Sequence, residues 1–228
     1  MKNALNLDFE MQTETDKNTE KIRAKNAVFY PIVLCGLIVL VFVFEKITRY
    51  NLSFFGTDPR EIRGLAGIIT TPFIHGSLEH LFSNIISLFV LTFALFYFYR
   101  GIALKSFVFM WLFSGLFLWL IGRESYHIGA SGLIYSLAFF LFFSGIFRRH
   151  VPLVAISAVI VFLYGSFVWG IFPWQPNSEI SWEGHLSGAF TGIIFAVIFR
   201  KYGPQKIEKV WEDEPDEENP YWLEEKEN

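Results

Sequence analysis

Ser131 sits in Gly129-Ala130-Ser131-Gly132, and His185 is followed by Gly188 and Gly192. A hydroxyl is a weak nucleophile until a nearby imidazole takes its proton, so these two residue types could perform covalent acyl transfer if brought within hydrogen-bond reach. His80 and Asn84 are spaced i, i+4 and therefore project from one helix face. Both can offer side-chain donors to a developing oxyanion, each worth ~3 kcal/mol in known oxyanion holes. The apolar run after Gly132 puts Ser131 near a helix N-terminus, where unpaired backbone N–H groups add to such a hole. Taken singly, the same residues also describe a core histidine, a capping serine and ordinary helix packing.

The elements that must position them are membrane helices. Of 228 residues, 53% are hydrophobic, 19% aromatic and only 18% charged, where a soluble domain keeps roughly a quarter charged. Six apolar runs stand out, at 28–44, 81–99, 106–121, 133–147, 151–172 and 186–199. Lys and Arg concentrate in the N-terminal stretch, at Arg100 and Lys105, at Arg148-Arg149 and at Arg200-Lys201. Positively charged short loops stay in the cytoplasm, so both termini are expected there. This divides the chain into a cytoplasmic N-terminal tail (1–27), a six-helix membrane domain (28–202) and an acidic cytoplasmic tail (203–228). The first run has no small-residue cleavage pattern after it and is expected to stay as a helix. The first loop is long and mixes Phe54, Phe55 and Leu65 with charges, which suits folding in the interface.

Under this orientation runs two, four and six point the same way. Ser131 lies 17 residues before Arg148, His185 15 before Arg200 and Asn84 16 before Arg100. At ~1.5 Å per residue all three sit roughly 22 to 26 Å above the cytoplasmic boundary, at one depth inside a ~30 Å hydrocarbon core. An ionisable side chain at that depth faces the bundle interior or water and needs a partner. Ser131 is the natural partner for His185.

Other chemistries are poorly supported. His75, Glu79 and His80 do not have metal-ligand order, and no metal or cofactor is expected. A net charge of −3 gives no field for nucleic acid. Cys35 lies in an apolar run and reads as a small hydrophobe. A transporter would predict paired broken helices and an internal repeat, which the sequence lacks.

The set His75-Gly76-Ser77-Leu78-Glu79-His80-Leu81-Phe82-Ser83-Asn84, then Gly129-Ala130-Ser131-Gly132, then His185 with Gly188 and Gly192, resembles the rhomboid intramembrane serine proteases over roughly residues 28 to 200. The resemblance implies an all-α bundle of six transmembrane helices. It implies that Ser131 is the nucleophile and His185 the general base, and that His80, Asn84 and the Ser131 backbone N–H form the oxyanion hole. Tyr135 would support the His185 ring and His75 would shape the first loop. The Trp-Arg pair usual in that family's first loop would fall at Ala66-Gly67 and is not there; Arg63 is the nearby residue that could take its place. Substrates would be transmembrane proteins in the cell membrane (the inner membrane in a bacterium), with run five and the 173–184 loop forming a lateral entrance. A catalytically silent relative that binds membrane clients is the alternative.

Overall fold

Each apolar run holds a helix, and two of these helices begin ahead of the apolar stretch, where a serine caps them. The computed structural model describes residues 2–148, 151–164, 169–173 and 180–203. Its helices are α1 (Lys2–Thr48), the single turn α2 (Gly67–Thr70), α3 (Leu78–Phe98), α4 (Ala103–Ile121), α5 (Ser131–Arg148), α6 (Val151–Tyr164) and α7 (Trp182–Ile198). Among the described residues there is no strand, only an isolated antiparallel bridge between Thr57 and His127.

The starts of α3 and α7 show why the helices exceed the apolar runs. Ser77 caps α3 by accepting from the His80 N–H, and Ser181 caps α7 by accepting from the Gly184 N–H. Glu79 and Glu183 occupy the respective first turns, where a carboxylate opposes the positive end of the helix dipole. His80 and His185 therefore lie on the helices themselves. The N-terminal stretch expected as a tail also differs, continuing α1 as helix from Lys2. Its first 25 residues hold no Gly or Pro and more than half are Lys, Glu, Ala, Leu, Met, Arg or Gln, all good helix formers. Of run five the structure describes α6 (Val151–Tyr164) and a turn from Trp169 to Ile171. Phe167 and the acidic tail from 204 onward lie outside the described residues, as does the Phe162 side chain.

Among the described residues, four segments are long and apolar enough to cross a membrane: Lys17–Thr48, α3, α4 and α5; α7 is a shorter apolar helix of 17 residues. The outer helices present Phe29, Leu40, Phe44, Leu104 and Leu112 outward, an apolar exterior that suits lipid rather than water. α5 is the central helix, packed on α3, α4, α6 and α7, and most closely on α7. Leu88, Leu91, Leu95, Met110, Leu137, Phe140 and Leu141 fill the core between them.

Glycines make the α5–α7 crossing possible. A Cβ at Gly188 would lie 2.0 Å from the Gly132 carbonyl oxygen, and one at Gly192 would lie 2.4 Å from that of Ser136. Only a hydrogen fits at either position, so the two backbones are in van der Waals contact. At the other end of the pair, Arg148 is buried and donates to the Phe199 and Arg200 carbonyls at 2.6 and 3.3 Å, its guanidinium stacked over Tyr99. A residue that reads in the sequence as a loop cation thus caps the C-terminus of α7.

The first loop is pinned without a Trp-Arg pair. The indole of Trp111 donates to the Ile68 carbonyl at 3.1 Å and that of Trp119 to the Glu61 carbonyl at 2.9 Å, both from α4. Arg60 donates to the Gly122 carbonyl at 2.7 Å. Arg63 pairs with Asp58 of its own loop at 2.8 Å and lies over the Tyr126 ring of the third loop, 5.8 Å from its centroid.

Candidate active site

Ser131 is the first residue of α5, partly exposed, with the backbone N–H groups of the first turn free of partners within the helix. The loop before it is held on two sides. Thr57 and His127 exchange both backbone hydrogen bonds, at 3.0 and 2.9 Å, and the Gly129 N–H donates to the Thr71 carbonyl at 3.0 Å. Gly129 adopts φ +107°, a left-handed conformation that glycine tolerates without strain. The ring of His80 packs against it so closely that a Cβ there would sit 2.6 Å from His80 Nε2. His80 on α3 is thereby brought to the start of α5.

Asn84 is buried one turn along α3, with one amide hydrogen donated to the His80 carbonyl at 2.7 Å. Its other amide hydrogen makes no hydrogen bond among the described residues. His75 is fully buried, its ring edge-on to His80 with centroids 4.9 Å apart. Burial pushes the His75 pKa down to about 4.

His185 lies in the first turn and a half of α7. Its ring stacks on Tyr135 with centroids 4.2 Å apart and planes 9° apart. Its Nδ1 lies 3.0 Å from the Gly170 carbonyl oxygen. A carbonyl only accepts, so Nδ1 carries the proton and Nε2 is left as the basic nitrogen. Among the described residues a backbone carbonyl, and no acid, holds this nitrogen. Gly170 has no room for a side chain, since a Cβ would lie 2.2 Å from the Tyr135 hydroxyl and 3.1 Å from His185 Nδ1.

The two helix starts meet here, because a Cβ at Gly132 would be 3.3 Å from the carbonyl of Gly184, the residue before His185. Among the described residues no hydrogen bond joins Ser131 to His185. A cavity of about 30 Å³ beside Ser131, large enough for a water molecule, is lined by Ile68, Trp111, Leu118 and Leu133 together with Thr57, His127 and Ser181.

A model of the rhomboid domain matches residues 63–202, more than half of the chain. The chain belongs to the rhomboid family.

Its curated relatives cover most of the same length. An uncharacterized protein of Mycobacterium tuberculosis is 32% identical over 198 residues, which span 82% of this chain and 81% of the relative. One of Mycobacterium leprae is 33% identical over 203 residues, 85% of this chain and 78% of that protein. In this rhomboid domain the sequence signals and the geometry agree on a neighbourhood: His80, Gly129, Ser131, Gly132, Tyr135 and His185 lie around the junction of α3, α5 and α7. Glu183, next but one to His185, is buried and faces Arg123 of the third loop at 3.7 Å. Three contributors carry no sequence signal of their own. Gly170 sits in an apolar run, and His127 and Ser181 lie in polar loops, where only their hydrogen bonds reveal them.

Proposed function

We propose that this rhomboid is an intramembrane serine endopeptidase that cleaves transmembrane segments of other membrane proteins. In this reading six helices span the cell membrane with both termini in the cytoplasm, Ser131 is the nucleophile and His185 the base. The observation that carries it is the fixed tautomer of His185. Stacked on Tyr135 and bonded through Nδ1 to Gly170, the ring offers its lone pair at Nε2, beside the helix start that bears Ser131.

The chemistry follows. Nε2 takes the Ser131 hydroxyl proton as Oγ attacks the scissile carbonyl, and the oxyanion is met by the Ser131 N–H and by donors from His80 and Asn84. The imidazolium then protonates the leaving amine. A water activated by the same nitrogen hydrolyses the acyl-enzyme, and the cavity beside Ser131, into which His127 and Ser181 face, is large enough for that water. A rotation of the Ser131 and His185 side chains on substrate binding brings them within bonding distance, as catalytic contacts commonly tighten in the Michaelis complex.

The test is cleavage in proteoliposomes of a panel of single-pass proteins whose transmembrane segments contain helix-weakening Gly or Pro. The expected result is a cut within or beside the transmembrane segment by the wild type and none by Ser131→Ala or His185→Ala. Equal cleavage by Ser131→Ala would point to another nucleophile.

A further inference from the structure

His127 lies four residues before Ser131, and Ser181 four residues before His185; His127 Nδ1 and Ser181 Oγ are 2.7 Å apart. We propose that His127 is a positioning residue for the Ser131–His185 pair, tying the start of the helix that bears the hydroxyl to the start of the helix that bears the imidazole. The inference rests on the protease reading and adds to it a third-loop residue that touches neither reacting group.

The direction of each hydrogen bond can be derived. His127 Nε2 is 3.0 Å from the Arg123 carbonyl, which only accepts, so Nε2 carries the proton. In the neutral ring Nδ1 is then an acceptor, and the Ser181 hydroxyl donates to it. The Ser181 oxygen in turn accepts from the Gly184 N–H at 3.1 Å. A single directed chain runs from the backbone of α7 through Ser181 and His127 into the backbone of the third loop. His127 is only 4% exposed, so little water competes for these bonds. Burial also holds its pKa below the ordinary histidine value and favours the neutral ring the chain requires.

The anchor is stiff at both ends. The backbone of His127 is paired in both directions with Thr57, and the Thr71 hydroxyl donates to the His127 carbonyl at 3.2 Å. On the α7 side, the His185 N–H donates to the Ser181 carbonyl at 3.2 Å, so moving Ser181 moves the turn that carries the imidazole. The charged groups around the ring reinforce the same tie: Arg123 donates to the Ile180 carbonyl at 2.9 Å and faces Glu183, while Asp58 is held by Arg63. Catalytic alignment is sensitive to such ties, since a displacement of ~1 Å can cost ~100-fold in rate.

The test uses the full-length protein in detergent micelles and a fluorophosphonate probe, with the maximal inactivation rate and the probe's half-saturation concentration measured separately. His127→Gln keeps an acceptor and a donor with nearly the spacing of the two ring nitrogens; His127→Met has similar length and neither. The expected result is a 10- to 100-fold lower maximal rate for His127→Met at unchanged half-saturation, and a rate within about fivefold of wild type for His127→Gln. A His127→Met rate equal to wild type, or a His127→Gln rate as low as His127→Met, overturns the proposal. Should His127→Met fail to fold, the comparison passes to Ser181→Thr, expected to react normally, against Ser181→Gly, expected to react slowly, since Gly starts helices well but cannot donate; equal rates overturn it. If the wild type is not labelled at Ser131, the protease reading fails by itself. Positioning is then decided by amide hydrogen exchange: faster exchange at both 128–133 and 182–188 in His127→Met than in His127→Gln supports it, and equal exchange overturns it.

Discussion

The rings of Tyr135 and His185 lie face to face, 4.2 Å between centroids, although the two residues come from different helices. An aromatic pair of this kind is worth ~0.5–1.5 kcal/mol beyond its buried area, which converts to roughly a two- to tenfold effect on the population of correctly oriented imidazole. Tyr135→Leu is therefore expected to slow labelling of Ser131 by up to about tenfold, and Tyr135→Phe, which keeps the stack, to slow it less. Equal rates for the two variants would show that the stack does not orient His185.

Gly170→Ala tests the backbone orienter. Its methyl group would collide with the Tyr135 hydroxyl at 2.2 Å, so the turn must withdraw and take its carbonyl from His185 Nδ1. The expected outcome is a mixed tautomer at His185 by nitrogen NMR and a labelling rate lowered about tenfold. A wild-type NMR signature in a folded Gly170→Ala protein would contradict the role given to Gly170.

The α5–α7 contact makes a paired stability prediction. Gly188→Ala places a methyl group 2.0 Å from a backbone oxygen, an overpacking that costs about 1–3 kcal/mol or more, whereas Gly36→Ala on α1 meets nothing within 4 Å. Thermal unfolding in detergent should show a clear loss for Gly188→Ala and no loss, or a small gain from helix propensity, for Gly36→Ala.

Acid should weaken the fold through the buried histidines of the loops. His75 ionises near 4 in the folded protein against an ordinary 6.5, so between those values the unfolded chain binds more protons than the native one. Stability conferred by the neutral ring is complete above about pH 6.5 and is lost as pH falls toward 4. His127, also lowered by burial, acts in the same direction. His75→Gln should flatten the dependence of the unfolding midpoint on pH in that window; an unchanged slope would assign the acid sensitivity elsewhere.

Much of this arrangement could be read before any coordinates. The apolar runs mark the long helices among the described residues, Ser131, His185 and Asn84 stand out as polar groups at one depth, and His80 stands out by its i, i+4 spacing to Asn84. The helix starts were less legible because capping by Ser77 and Ser181 extends α3 and α7 into polar sequence, a local effect that hydropathy does not register. The capping role of Arg148 is hidden because a cation at the end of an apolar run looks the same whether it faces water or caps a neighbouring helix. Gly170 was invisible for a deeper reason: its contribution is a carbonyl, which every residue has, and only its placement against His185 gives it a role.

The central claim is that Ser131 is a nucleophile activated by His185. Its most direct test is peptide mass spectrometry after exposure of the full-length protein to a fluorophosphonate. The account predicts a single phosphonylated site, at Ser131, whose formation is at least 100-fold slower in His185→Ala; labelling that leaves Ser131 unmodified, or modifies it equally fast without His185, would contradict it.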